Sequence, residues 1–224
     1  MNRVICTERR GMVAVALLLA IAAACNPRTT PEAAAACAAL PAPDPAFERQ
    51  IDGEAIDQWR LDAAVLHAVN TERCRNGVAP LIADSSLARA ASYHSGDMVR
   101  HDFFDHTSPV AGRETLRARY TLVGLDYPRA AENIATLSLY AFGDRHFAAR
   151  DAAACDFTLS AGGPSIPRHT YAGAAEALLE NWMDSGAHRQ NILDPGLTRH
   201  GAGAALKPDP QICGTLIVVQ NFAG

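Results

Sequence analysis

The chain has 224 residues, 49% hydrophobic and 20% charged, with a formal net charge of -4, a size that suits one domain able to bury its own core. Lys207 is the only lysine and the arginines are scattered, so no basic stripe exists to neutralise a nucleic-acid backbone. Nucleic acid is therefore not an expected partner.

Residues 1–25 have the layout of a signal peptide: Arg3, Arg9 and Arg10 precede an apolar run from Gly11 to Ala24 that ends in small residues. That run is short for a bilayer span, which needs roughly 20 apolar residues. Ala22-Ala23-Ala24-Cys25 is similar to a bacterial lipobox, with Ala22 where the pattern prefers Leu, so Cys25 is a lipidation candidate. An N-terminal lipid is then the one expected membrane contact, and the protein is expected to be exported: secreted, periplasmic or anchored to the envelope as a lipoprotein. Cys6 leaves with the signal, and a lipidated Cys25 leaves Cys37, Cys74, Cys155 and Cys213 as an even set. Four cysteines allow three pairings, and in an exported chain without a C-x-x-C they are disulfide candidates before metal ligands.

Residues 26–56 are rich in Ala and Pro and read as a linker, since their prolines leave no room for a long helix. From Asp57 the pattern turns helical: Leu61, Val65, Val69 and Arg73 recur every fourth residue and Gly77 follows where a helix commonly stops. Asp84 is the expected N-cap of a second helix with Leu87, Ala91, His94 and Met98 on one face. A compact loop, 102–109, and a short helical segment around 113–120 come next. Residues 137–168 show no clear period and read as an insertion. Thr170 is placed to cap an amphipathic helix whose stripe is Tyr171, Ala174, Ala175, Leu178, Leu179, Trp182 and Met183. Ser185-Gly186 ends it, leaving His188, Asn191 and Ile192 in a connecting turn. Two strands close the chain, 201–206 and 215–222, the second apolar almost throughout as a central strand is. The expected fold class is α+β, a small antiparallel sheet flanked by helices, formed by residues 57–224.

Five pieces in this order carry a resemblance: Val69-Asn70-Thr71-Glu72-Arg73, Tyr93-His94-Ser95-Gly96-Asp97-Met98, Phe104-Asp105-His106-Thr107-Ser108-Pro109, Ala131-Glu132-Asn133-Ile134-Ala135, and Trp182 through Leu193. Together they resemble the bacterial branch of the CAP superfamily (SCP-like domains), which includes cysteine-rich secretory proteins, antigen 5 and plant pathogenesis-related proteins. The resemblance covers residues 58–223. It implies an α-β-α sandwich with a cleft that in many animal and plant members is lined by two His and two Glu. His106 and His188 match the two histidines and Glu132 matches the Glu of a Gly-Glu-Asn motif. The fourth position departs, with Asp184 and Ser185 where a Glu is usual, and Ala131 replaces the motif's Gly.

Two imidazoles and a carboxylate, His106, His188 and Glu132 on three separate loops, form a zinc ligand set with one position open. The same trio also reads as a structural hydrogen-bond network, and with no H-E-x-x-H helix present that reading leads. His94 shares an apolar helix face and is read as a core histidine that also borders the cleft. Ser185, three residues before His188, is the weakest cleft candidate. Arg73 and Asn70 are expected to brace the end of the first helix, and Asn133 and Asn191 to tie loops to the sheet. No G-x-S-x-G elbow is present for a nucleophile, and one Glu cannot supply the paired carboxylates of a glycosidase. The expected function is a non-catalytic binding module whose His/Glu-lined cleft takes a small or lipid-like ligand or an envelope component, and the expected state is a monomer. The alternatives are a metal-assisted hydrolase using His106, Glu132 and His188, and a structural envelope protein.

Overall fold

The computed structural model describes residues 29–224, so the expected signal peptide, Cys6 and Cys25 lie outside the described residues. Its helices are α1 (Pro31–Ala38), α2 (Gln58–Arg75), α3 (Ser85–Arg100), α4 (Leu116–Leu122), α5 (Tyr171–Asp184) and α6 (Gly186–Leu193). Its strands are β1 (Ile82–Ala83), β2 (Ala130–Ser138), β3 (Ala148–Asp151), β4 (Asp156–Thr158), β5 (Arg199–Lys207) and β6 (Thr215–Ala223).

The main sheet runs β1-β5-β6-β2, antiparallel throughout except for the two-residue β1, which adds to β5 in parallel. β6 sits centrally and is apolar on both faces because both are covered. Leu216, Val218 and Phe222 pack into the core shared with Leu61, Val65 and Val69 of α2 and Leu178 and Trp182 of α5. Ile217 and Val219 face Ala91 and Met98 of α3 on the other side. Helices on both faces of one small sheet make the α-β-α sandwich that the sequence implied. α3 lies close on β5 because the strand presents glycines there. A Cβ on Gly201 would stand 2.1 Å from the Ala88 backbone nitrogen, and one on Gly203 2.4 Å from Ser92 Oγ.

Local signals match the helix starts. Asp57, Asp84 and Thr170 each accept a backbone N–H of the first turn, and Gly77 takes a φ of 72° just past α2. Three expectations are corrected. The stretch from Pro31 is not a free linker: Thr30 and Pro31 start α1, Cys37 is bonded to Cys74 of α2, and Phe47 and Ile51 enter the core. Proline prevents a long helix but favours the first turn of a short one, which is how it is used here. The turn expected after Ser185 is helix α6, its weak amphipathic pattern having hidden it. The insertion is not aperiodic loop alone: β3 and β4 form a ribbon whose Phe157 packs with Phe142 and Ile166, and Cys155 is bonded to Cys213.

Among the described residues no helix is long and apolar enough to cross a membrane.

Candidate functional site

β2 is an edge strand, and the candidate site forms where both helical layers overhang its open side. Register decides which way its groups point. Arg129 and Gly224 exchange two backbone hydrogen bonds, and Leu139 N–H donates to Gly214, so odd-numbered residues of β2 pair with β6. Even-numbered residues, Glu132 among them, turn their backbone groups to the open edge, while the Glu132 side chain faces the α3 and α4 layer.

Glu132 is buried and both carboxylate oxygens are engaged. Oε1 accepts from His106 Nδ1 at 2.9 Å, and Oε2 accepts from Arg119 at 2.7 Å. Arg119, on α4, is fully buried, and its other terminal nitrogen donates to the backbone carbonyls of His106 and Arg113, each at 3.2 Å. One guanidinium therefore fixes the strand carboxylate and the loop that carries His106. His94 is fully buried on α3. Its Nε2 donates to the Asp105 carbonyl at 3.0 Å and lies 3.8 Å from Glu132 Oε1. On the opposite side, Asn191 of α6 donates to Asn133 Oδ1 at 2.9 Å and to the Glu132 carbonyl at 3.4 Å, which ties the helix bearing His188 to the strand. His188 Nδ1 is buried without a hydrogen-bond partner.

His106 and Glu132 meet, with His94 behind them, and His188 is near enough for the charge on His106 to bear on it, but only His106 is on a loop; Glu132 is on a strand and His188 on a helix. Ser185 caps the junction of α5 and α6 through its backbone, and its hydroxyl joins none of these hydrogen bonds. Asn133, Asn191 and Arg73 do the bracing expected of them. Arg119 is the residue that sequence reasoning missed. Its signal was an arginine on the inward stripe of Leu116 and Tyr120, where a charge requires a buried partner.

The electrostatics separate the imidazoles. The hydrogen bond to Glu132 raises the His106 pKa above the usual 6.5, so this half-exposed ring favours the charged form. Burial lowers His94 and His188, and for His188 the neighbouring charge on His106 adds to the effect. An NMR titration is expected to show His106 protonating first as pH falls, with His188 and His94 following below 6.5. The signs for stability are opposite. The His106 contribution is complete below the unfolded value and fades as pH rises through its raised folded value. His94 and His188 withdraw stability as pH falls below the unfolded value, because the fold resists their protonation. Glu132→Gln should return His106 towards 6.5; a His106 that titrates last would contradict the assignment.

Zinc does not fit the trio as a ligand set. Glu132 stands behind His106 as its acceptor and is paired to a cation, which leaves two imidazoles where an open catalytic zinc site uses three protein ligands. Among the described residues no group of three or more His, Cys, Asp and Glu is spaced to hold a metal ion.

The profile of the cysteine-rich secretory protein family, CAP, matches residues 66–222. The chain belongs to this family. Its CAP domain is similar to YkwD, an uncharacterized protein of Bacillus subtilis, at 30% identity over 62% of this chain and 40% of that protein. It is also similar to the uncharacterized membrane protein YlbC of the same organism, at 28% identity over 67% of this chain and 33% of that one. The match therefore spans well under half the length of these relatives. A crystal structure of an extracellular SCP-domain protein from Bacillus anthracis aligns with a TM-score of 0.50 and 24% identity over 73% of this chain and 40% of that one, a likeness of fold. Both disulfides of the CAP domain, Cys37–Cys74 and Cys155–Cys213, are as expected of an exported chain.

Proposed function

We propose that this CAP domain is a non-catalytic binding module of the exported side of the cell, acting as a monomer, secreted or held at the envelope through a lipid on Cys25. The observation that carries it is the closed chain Arg119–Glu132–His106. A carboxylate with both oxygens engaged is a holder of geometry and not a free general base, so its work is to aim His106. What remains for a ligand is the exposed edge of His106 and the half-buried His188, one ring biased to the charged form and the other to the neutral form. Such a pair presents hydrogen-bonding groups to a small polar ligand or an envelope component.

The test compares the protein, purified without chelator or tag metal, with a His106→Ala/His188→Ala variant by metal analysis and native mass spectrometry. The expected result is a retained small ligand or envelope component that the variant loses, without one zinc per chain. One zinc per chain, lost in the variant and followed by ester or peptide hydrolysis, would overturn the proposal in favour of the hydrolase.

A further inference from the structure

From the open edge of β2 between Ile134 and Ser138 we infer a second binding site, one that takes an extended peptide with alternating apolar and basic side chains. It lies along the strand from the histidines and stands whether His106 and His188 bind a ligand or only brace the fold.

Three observations carry it. First, the edge is unpaired over a defined window. The register turns the N–H and C=O groups of Ile134, Thr136 and Ser138 away from β6, and no other backbone or side chain among the described residues bonds to those of Ile134 and Thr136. On either side the edge is closed: Asn191 takes the Glu132 carbonyl, and residues 167–169 pair with Leu139 and Ala141. An open edge is a template for another strand, and proteins ordinarily cover or shorten it. Here it is confined between flanking elements, so a single extended segment fits where the broad sheet of a second copy does not.

Second, a cavity opens on each face of the sheet at this window, and Thr136 lines both. On the α3 side, about 340 Å³ is bordered by Phe103, Phe104 and Ile217 together with the Asp102–Lys207 ion pair and Asp209. On the α5 side, about 310 Å³ is bordered by Asp144, Glu180 and Asp184. Successive side chains of a strand point to opposite faces, so a peptide paired with Thr136 sends one residue towards Phe103, Phe104 and Ile217, where Asp102 is already neutralised by Lys207, and the next into the acidic cavity.

Third, the acidic side is uncompensated. None of Asp144, Glu180 and Asp184 forms an ion pair among the described residues, and no Lys or Arg lines that cavity. The nearby Arg145 is turned to the carbonyls of Phe142 and Ala141. Charge complementarity then selects Lys or Arg on the peptide.

The experiment titrates the full chain with two capped hexapeptides, one alternating valine and lysine and one alternating valine and glutamate, followed by amide NMR shifts. The valine–lysine peptide is expected to bind at a Kd on the order of 100 μM and to move the Thr136 and Ser138 amides. Thr136→Pro removes an N–H that the sheet does not use, a change an edge strand tolerates, and circular dichroism verifies its fold. It should weaken binding at least about fivefold, the loss of one backbone hydrogen bond. Glu180→Lys/Asp184→Lys should invert the preference towards the valine–glutamate peptide. Unchanged affinity in Thr136→Pro, equal affinity for both peptides, or no binding at millimolar peptide overturns the inference. Shifts at His106 and His188 with none at Thr136 place the peptide in the histidine cleft and overturn it equally.

Discussion

Arg119→Met is expected to destabilise the protein by about 3–5 kcal/mol, the cost of leaving a buried carboxylate without its partner. Glu132 and Arg119 are both buried and 2.7 Å apart, and the same guanidinium holds the His106 and Arg113 carbonyls. The substitution therefore does two things: it leaves Glu132 with a half-exposed imidazole as its only side-chain donor, and it frees the loop that carries His106. For a domain of this size the loss corresponds to a fall in Tm of about 6–20 °C. The discriminating measurement is a double-mutant cycle. Arg119→Met/Glu132→Gln should recover more than half of the loss, since the uncompensated charge is gone, while His106 loses its fixed orientation in both variants. A single variant that costs under about 1 kcal/mol would show that the pair holds nothing, and the account of a carboxylate held to aim His106 would go with it.

Arg73→Met should cost a comparable amount, about 3–5 kcal/mol, by a different route. Arg73 is almost fully buried near the end of α2, and its guanidinium donates to the carbonyls of Ala79, Ile192, Asp194 and Leu197 at 2.7–3.1 Å. Burial pulls its pKa down to about 10, and it stays charged at neutral pH. Four carbonyls lose their donor in the variant, and three of them lie in the end of α6 and its exit towards β5. Hydrogen exchange should therefore quicken in residues 190–198 before the rest of the fold. Global destabilisation without a local gradient would mean that Arg73 acts only as core volume. Lys in its place cannot span the four acceptors, so Arg73→Lys is expected to behave nearly as poorly as Arg73→Met.

Both arginines show how far the residues alone could be followed. The period of Leu61, Val65, Val69 and Arg73 placed Arg73 on the buried stripe of α2, and the expectation that it braces a helix end was sound. Three of its four partners could not be read, because they are backbone carbonyls more than a hundred residues away. Arg119 had the same signature on a helix of only seven residues, too short for the pattern to stand out. That His106 and Glu132 lie side by side was expected from motif order, since each motif carries residues with strict local roles, such as Asn133 and Asn191. Ser185 was drawn in by spacing alone, and spacing says nothing of where a hydroxyl points.

Secondary structure was written locally. Caps, apolar periods and the doubly apolar last strand announced α2, α3, α5 and β6, because each depends on residues near in the chain. Three things were decided only in three dimensions: the pairing of Cys37 with Cys74 and of Cys155 with Cys213, the parallel β1 at the sheet edge, and the engagement of both Glu132 oxygens by His106 and Arg119. The last turns on Arg119 reaching it from another helix. A carboxylate's chemistry is set by which donors surround it, and those donors are assembled by packing and not by neighbours in sequence.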